Sequence, residues 1–437
     1  MKNSSTATAV SQAFAAAIAT ALLAVAASAS AETPLTLAEA QRRAVERSQL
    51  VRAQEAAASA SREMALAASQ LPDPVATLGI NNLPINGPDA WSLTNDFMTM
   101  RSVGLMQEFT RGAKRQARAE RFEREADKAS AERSARIATV ERQTALAWLD
   151  RYYAEAQAAV VAEQRAQSRL EIDAAETAYR SGRGNLADVL AARTALIALE
   201  DRASELARRV STAKIALARW VGDAAEALGG RPAIDHLRFD PHMLDADVAH
   251  HPEMAVLSRE EDLAAAEVRM AQANKEPDWT LSLMYSQRGP AYSNMISINV
   301  SVPLQWDRKN RQDRELAAKL ASLDQARAER EDKLRAHAAE LRAMLAEWEN
   351  DRERSLRYER ELLPLATERT QATLAAYRGA KAALAEVLLA RRGEIDVRTQ
   401  ALQLESEAAR AWAQLNYLVP LDDAMRGSNP EPSKDRQ

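Results

Sequence analysis

Two kinds of hydrophobic pattern alternate along this chain: long stretches with helical spacing, and four short runs that alternate residue by residue. Ile296, Ile298, Val300 and Val302 alternate with Ser297, Asn299 and Ser301. Trp279, Leu281, Leu283 and Tyr285 alternate with Thr280, Ser282 and Met284. The first half is noisier, with Ala76, Leu78 and Ile80 facing one way and Val103 and Leu105 continuing the pattern. These runs predict strands over 75–80, 100–107, 278–286 and 295–302. Apolar on one side and small-polar on the other, they suit strands between lipid and an aqueous lumen. They suit one face of a soluble sandwich equally well. Trp279 and Tyr285 sit near the ends of the apolar face, where interfacial aromatics are expected. Four strands cannot close a lipid-spanning barrel, so a membrane reading requires strands pooled between protomers.

The helical stretches are unusually long. Thr36-Leu37-Ala38-Glu39 opens a helix with a capping pattern, expected to run to about Ser69, where Leu71-Pro72-Asp73-Pro74 stops it. A Pro/Gly/Asn-rich loop separates the first two strands. After Arg111-Gly112 no Pro or Gly follows until Gly182, which predicts a rod of roughly 100 Å at about 1.5 Å per residue. Gly182 and Gly184 permit a reversal, and a return helix is expected from Leu186 to about Val221. The plan then repeats: a helix over 252–274, two strands, a long helix from about Arg311 reversing near Gly379, and a return to Leu418. Pro364 interrupts the second long helix where the first has Ala166, which predicts a kink or local unwinding.

The repetition is written in the residues. Ala178-Tyr179-Arg180 returns as Ala376-Tyr377-Arg378, and Leu186, Val189, Leu190, Ala192 and Arg193 return as Leu384, Val387, Leu388, Ala390 and Arg391. Leu206, Ala213 and Leu217 return as Leu404, Ala411 and Leu415, and Pro72-Asp73 reappears as Pro277-Asp278. A period this long exceeds any solenoid unit, so it is one structural half, duplicated. The fold class read from these patterns is mixed α+β, mostly α. The expected organisation is a signal peptide over 1–31, a first repeat over 32–222, a linker over 223–252, a second repeat over 253–420 and a polar tail over 421–437.

Composition narrows the classes further. Lys2, the apolar run from Ala13 to Ala27 and Ala29-Ser30-Ala31 read as an export signal cut after Ala31. No later window approaches a transmembrane helix, because Arg or Glu breaks every apolar stretch. The chain has no cysteine, which excludes disulfides, a lipid-modified N-terminal cysteine, thiolate metal ligands and a cysteine nucleophile. Its 58 basic and 62 acidic residues are interleaved, leaving no nucleic-acid footprint. No G-x-S-x-G elbow or other catalytic constellation is present.

Signal peptide, duplicated halves, two strands per half and two long helical hairpins together resemble the TolC family of outer membrane efflux proteins, over nearly all of 35–420. The most specific pieces are the tips, Tyr179-Arg-Ser-Gly-Arg-Gly-Asn-Leu-Ala-Asp-Val-Leu and Tyr377-Arg-Gly-Ala-Lys-Ala-Ala-Leu-Ala-Glu-Val-Leu. The passage Val300-Ser-Val-Pro-Leu-Gln-Trp-Asp-Arg-Lys-Asn-Arg resembles the CzcC-like branch, which works in heavy-metal efflux, with Gln305-Trp306 and Gln312 as departures. The resemblance implies a homotrimer. Three chains would give twelve strands to one outer-membrane β-barrel, continued by a periplasmic α-helical barrel. It implies no catalysis and no cofactor. The partners it implies are a periplasmic adaptor, an inner-membrane pump of the resistance-nodulation-division (RND) type and outer-membrane lipid. The function expected is the exit duct of a tripartite efflux system for heavy-metal cations. A drug or type I secretion duct of the same family is the alternative. A periplasmic coiled-coil adaptor without a pore is the reading from another class, disfavoured by the duplication and by only 13 glycines.

Candidate site residues follow. Asp188 and Glu386 stand just beyond the two tips, and in a trimer would ring the periplasmic mouth with six carboxylates, favouring cations. Arg180 and Arg378, with Arg183 and Lys381, are close enough in sequence to pair with them. Each carboxylate reads equally as part of a solvated helix face. Gly182, Gly184 and Ala383, with Leu186 and Leu384 as apolar anchors, are candidates for docking an adaptor's helical hairpin. They also serve the plain needs of a helix reversal. Four of the five histidines fall between residues 236 and 251. His242, His250 and His251 are weak metal-ligand candidates, since their spacing fits no standard pattern and His250-His251-Pro252 opens a helix. The basic run from Arg111 to Arg124 reads as a solvated face, interleaved with Glu120 and Glu123.

Overall fold

The computed structural model describes residues 34–222, 227–243, 248–379 and 381–419. The segments expected to be a signal peptide and a polar tail lie outside them. Helices α1 (Leu37–Arg47) and α2 (Gln49–Ala68) lead to strands β1 (Val75–Asn81) and β2 (Met100–Phe109). Helix α3 (Gly112–Arg180) and helix α4 (Leu186–Val221) form the first long hairpin. Two short 3₁₀ turns precede α5 (Pro252–Ala273), β3 (Trp279–Gln287) and β4 (Met295–Ser301). Then come α6 (Gln312–Arg357), a π-helical turn (Tyr358–Leu362), α7 (Leu363–Arg378) and α8 (Leu384–Asn416).

Two local details differ from or refine the expected plan. The first helix is two helices, because Ser48 leaves helical geometry (φ −67°, ψ 109°) and its Oγ accepts the Val51 amide. In the second long helix, Pro364 has no N–H to offer the carbonyl four residues back and its ring crowds that position. The ladder yields just ahead of it: the Leu363 amide reaches the Tyr358 carbonyl, five residues back.

The described residues fall into two compact units. One joins residues up to 44 with 147–233. Its centre is Trp148, whose indole donates to the Leu35 carbonyl at 2.9 Å and whose ring stacks on Tyr152. Leu35 pairs with Leu228 in a parallel bridge, and there a Cβ on Gly229 would stand 3.1 Å from the Thr36 backbone, so only glycine fits without movement. Arg165–Glu200 and Lys214–Glu155 tie α3 to α4 across this unit.

The other unit joins residues 45–146 with 234 onward. Its helical core is built where α8 packs on α6 and α7, burying Leu404, Ala408, Trp412 and Leu415 together with Leu341 and Trp348. Trp412 donates its indole N–H to the His236 carbonyl, and Asn416 accepts the Arg238 amide, so the segment before α5 is pinned to the end of α8. The sheet belongs to this unit. Its order is β1-β2-β3-β4, antiparallel throughout. No described helix is long and apolar enough to cross a membrane.

Candidate functional site

The sheet gathers the aliphatic and aromatic side chains that alternate along residues 76–80, 103–105, 279–285 and 296–300 on one face. Residues directly opposite in antiparallel strands share a face, so the pairings form rows. One row is Ala76, Leu105, Leu283 and Ile298; the next is Leu78, Val103, Tyr285 and Ile296. The opposite face carries Thr77, Gly104, Met284 and Ser297, then Gly79, Ser102, Ser286 and Met295. Nothing among the described residues covers the apolar rows: Leu78 is 84% exposed, Ile296 70%, Ile298 69% and Val300 63%. Fully burying such side chains is worth about 1.5–3 kcal/mol each, so a bare face of this size needs a cover. Both edge strands, β1 and β4, also have an unpaired side. Such edges are a template for further strands.

Where the sheet meets the helices, the two repeats interlock. Asp278, immediately before β3, caps the long helix that follows β2. Its Oδ1 accepts the Arg111 amide at 3.0 Å and its Oδ2 the Lys114 ammonium at 2.8 Å. Arg111 Nε donates to the Pro277 carbonyl. Burial opposes the charge on Asp278. The Lys114 hydrogen bond, the Arg111 amide and the Lys114 and Arg118 charges outweigh it, holding the carboxyl below its usual range. The start of the basic run is therefore an interlock, with Lys114 buried, rather than the solvated face that its interleaved glutamates suggested.

The first hairpin tip turns on Gly182, at φ +69°, with the Arg183 and Gly184 amides both donating to the Ala178 carbonyl. Asn185 caps α4, its Oδ1 accepting the Asp188 amide at 2.8 Å. Leu186 is 52% exposed. The second tip turns without a left-handed glycine: Gly379 has φ −82°, and the Lys381 amide donates to the Ala376 carbonyl. Ala383 has no side chain that could cap α8. Instead Glu386 Oε1 reaches back to accept the Ala383 amide at 3.4 Å. Leu384 is only 5% exposed, packed with buried Val387 and Ala390 on its own helix face. Leu384 is thus a core residue in this chain, which corrects the expectation of two matched, exposed anchors. The apolar side chain offered at the surface is Leu186.

The charges at the tips also sort differently from the sequence expectation. Arg180 is drawn to Glu176, at 3.4 Å, and Glu176 takes Arg193 as well, at 2.7 Å. The Arg193 hydrogen bond, with the charges of Arg193 and Arg180, holds the Glu176 carboxyl below its usual range against a small desolvation effect. Asp188, half-buried, and Glu386, exposed, have no ion-pair partner among the described residues, nor has Arg378.

The histidine run does not assemble a metal centre: no group of three or more His, Asp or Glu side chains among the described residues is placed to hold an ion. His242 uses its amide on Asp240, while Asp245 and Asp247 lie outside the described residues. His251, at the start of α5, is buried, with its Nδ1 3.1 Å from Nε2 of buried His337 on α6. The rings meet edge-on, so one donates and the other accepts. His337, alone in a helical stretch, carried no sequence signal of this partnership beyond being the fifth histidine.

No protein-family model matches this chain, and no curated protein matches it in sequence. Solved structures do match. The outer membrane protein VceC from Vibrio cholerae aligns with TM-score 0.70 at 18% identity, covering 87% of this chain and 95% of VceC. CusC, described for its transmembrane channel formation, aligns with TM-score 0.73 at 16% identity over 88% of this chain and 92% of its own. The open-state outer membrane channel MtrE from Neisseria gonorrhoeae aligns with TM-score 0.69 at 17% identity, over 87% and 88%. The fold is that of the TolC-like outer membrane channels, mostly helical with four antiparallel strands.

Proposed function

We propose that this chain is the outer-membrane exit duct of a tripartite efflux machine. In this reading three copies pool their sheets into a twelve-stranded barrel, with the helical hairpins extending into the periplasm. The observation that carries it is the sheet. It is bare on its apolar face, small-polar on the other and open at both edges, which fits lipid outside, water inside and neighbours on either side. The likeness to VceC, CusC and MtrE supports the same reading. The chain acts as a passive conduit, with energy from an inner-membrane pump of the RND type reaching it through a periplasmic adaptor.

Heavy-metal cations are the proposed cargo, supported by the CzcC-like passage at 300–311 and by unpaired Asp188 and Glu386 beyond the tips. The adaptor contact is assigned to the tips around Gly182, Gly184, Leu186 and Ala383. The test has two parts. Mass measurement in mild detergent should give a folded trimer, and a folded monomer overturns the duct. In planar bilayers, Asp188→Asn with Glu386→Gln should lower cation preference. An unchanged reversal potential in a salt gradient removes both carboxylates from the conduction path.

A further inference from the structure

The strands separate methionine from the other large apolar side chains. Every leucine, isoleucine, phenylalanine, tyrosine and tryptophan of β1–β4 stands on the bare apolar face. Every methionine of the strands, at 100, 106, 284 and 295, stands on the other. Apart from Val75 and Glu108, that second face is otherwise serine, threonine, asparagine and glycine, with no Lys or Arg within the strands. Methionine and leucine have similar volume and similar apolar character, so neither property sorts them. What differs is the thioether sulfur, which is polarizable and soft.

The register brings three of these methionines into a line. Met106 is opposite Ser282, Met284 is opposite Gly104 and Ser297, and Met295 is opposite Ser286. Met106, Met284 and Met295 therefore step across β2, β3 and β4, each one strand over and two residues along from the last. Such diagonal neighbours are about 7–8 Å apart, within reach of long side chains. Their row partners are small, so nothing bulky stands between the thioethers. Met106 and Met295 are exposed and Met284 is half-buried, so none of the three fills a gap in a packed core. The line also climbs the sheet: Met106 lies toward the α3 end of β2, and Met295 opens β4 at the loop end.

We propose that Met106, Met284 and Met295 form a line of thioether ligands for soft monovalent cations of the Cu(I) or Ag(I) class. The assignment rests on the duct reading above and narrows its heavy-metal cargo. A thioether is a neutral, soft ligand, and it selects soft cations over Na⁺ or Mg²⁺. Met284 is the shared neighbour, so an ion is held either by Met106 with Met284 or by Met284 with Met295. The two positions overlap through one residue, and an ion passes between them by exchanging a single ligand. Conduction requires binding favourable enough to enter and weak enough to leave, which two neutral sulfurs satisfy better than a closed cage of thiolates. The face has no Lys or Arg to repel the ion, and the chain has no cysteine to trap it.

Silver(I), as the nitrate in chloride-free buffer, is the probe, because it is soft and needs no reductant to hold its charge. The protein, ¹³C-labelled at its methionine methyls and purified in mild detergent, is titrated and followed by NMR. Met64 and Met243 serve as internal controls, since both are exposed methionines outside the strands. The Met106, Met284 and Met295 methyls should shift at silver concentrations at least about tenfold below those that move Met64 and Met243, because two ligands held on one sheet act together on one ion. Sodium nitrate should move none of them. Met284→Leu, which nearly conserves volume, should remove the early shift from Met106 and Met295 alike. Met106→Leu with Met295→Leu should remove it from Met284, and keeps the test sound if Met284→Leu fails to fold. All five methyls shifting together would overturn the line, as would early shifts at Met106 and Met295 that survive Met284→Leu. Mass measurement on the same sample separates the two readings. A folded trimer with a failed titration removes the thioether line and leaves the duct, whereas a folded monomer overturns the duct and the line with it.

Discussion

The two hairpin tips make the same reversal with different chemistry. The first uses a left-handed glycine, an asparagine cap and an exposed leucine; the second uses an ordinary φ, a reach-back glutamate and a buried leucine. Matched sequence positions in a duplicated chain preserve the backbone path. They do not preserve what a side chain does once the path is made. Leu186 and Leu384 are the plainest case, since they align and only one is available to a partner.

The largest expected effect breaks that pair apart. Leu384→Asp places a charge in a packed site and should destabilise the second tip by on the order of 3 kcal/mol or more. Leu186→Asp should change stability by no more than about 0.5 kcal/mol, and under the proposed docking role it should still weaken adaptor binding. Amide hydrogen exchange at the tips reads both, because tips open locally. Equal loss of protection in the two variants would show that the leucines are equivalent after all.

Next in size are the glycines. Gly182→Ala forces a side chain into the left-handed region and should cost about 1 kcal/mol of local stability. Gly379→Ala meets only ordinary contacts, about 3.5 Å from the Ala375 and Ala376 carbonyls, and should be neutral or stabilising by about 0.5 kcal/mol. Comparable losses at both sites would contradict the backbone difference. The caps come third. Asn185→Ala should cost about 1 kcal/mol, and Glu386→Ala about half that, as its single contact is long. The same exchange measurement, read at the first turns of α4 and α8, ranks them.

The smallest effect is a pH dependence confined to the first tip. Glu176 has its carboxyl held low by Arg193 and Arg180, while the matched position in the second half is Leu374. A depressed carboxyl pKa stabilises fully above the unfolded value and loses that contribution as pH falls through the folded one. Acid below the ordinary carboxylate range, and not milder acid, should therefore loosen α3 against α4 at the first tip, more weakly in high salt since the pair is exposed. Glu176→Gln should abolish this dependence. A pH response that survives the substitution would point to another group.

Much of this was legible beforehand, and the reasons differ by element. Period-two runs gave the strands to within two residues, because a continuous apolar face on a strand has to be written at every second position of the sequence. Absence of Pro and Gly gave the length of α3, and Pro364 marked where the second rod would yield. Ser48 was missed because a lone serine in a helical pattern is as often a surface residue as a cap. The burial of Leu384 and the meeting of His251 with His337 depend on packing between elements remote in sequence, which no local period encodes. The Asp278 interlock was visible only as half of a repeated dipeptide. Its meaning came from the strand order, which sets the aspartate of one repeat beside the helix of the other.

The unlike edges of the sheet have a genetic consequence. In the proposed ring of three, joined head to tail, each copy would offer one edge and accept another, so a chain damaged at β1 alone would still present a sound β4 and still be recruited. Expressed equally with intact chains and mixed at random in threes, it would leave only about one ring in eight without a faulty joint. A lesion in β1 should therefore be dominant, poisoning assemblies that contain normal copies. A chain that fails to fold at all never enters the ring and should be recessive.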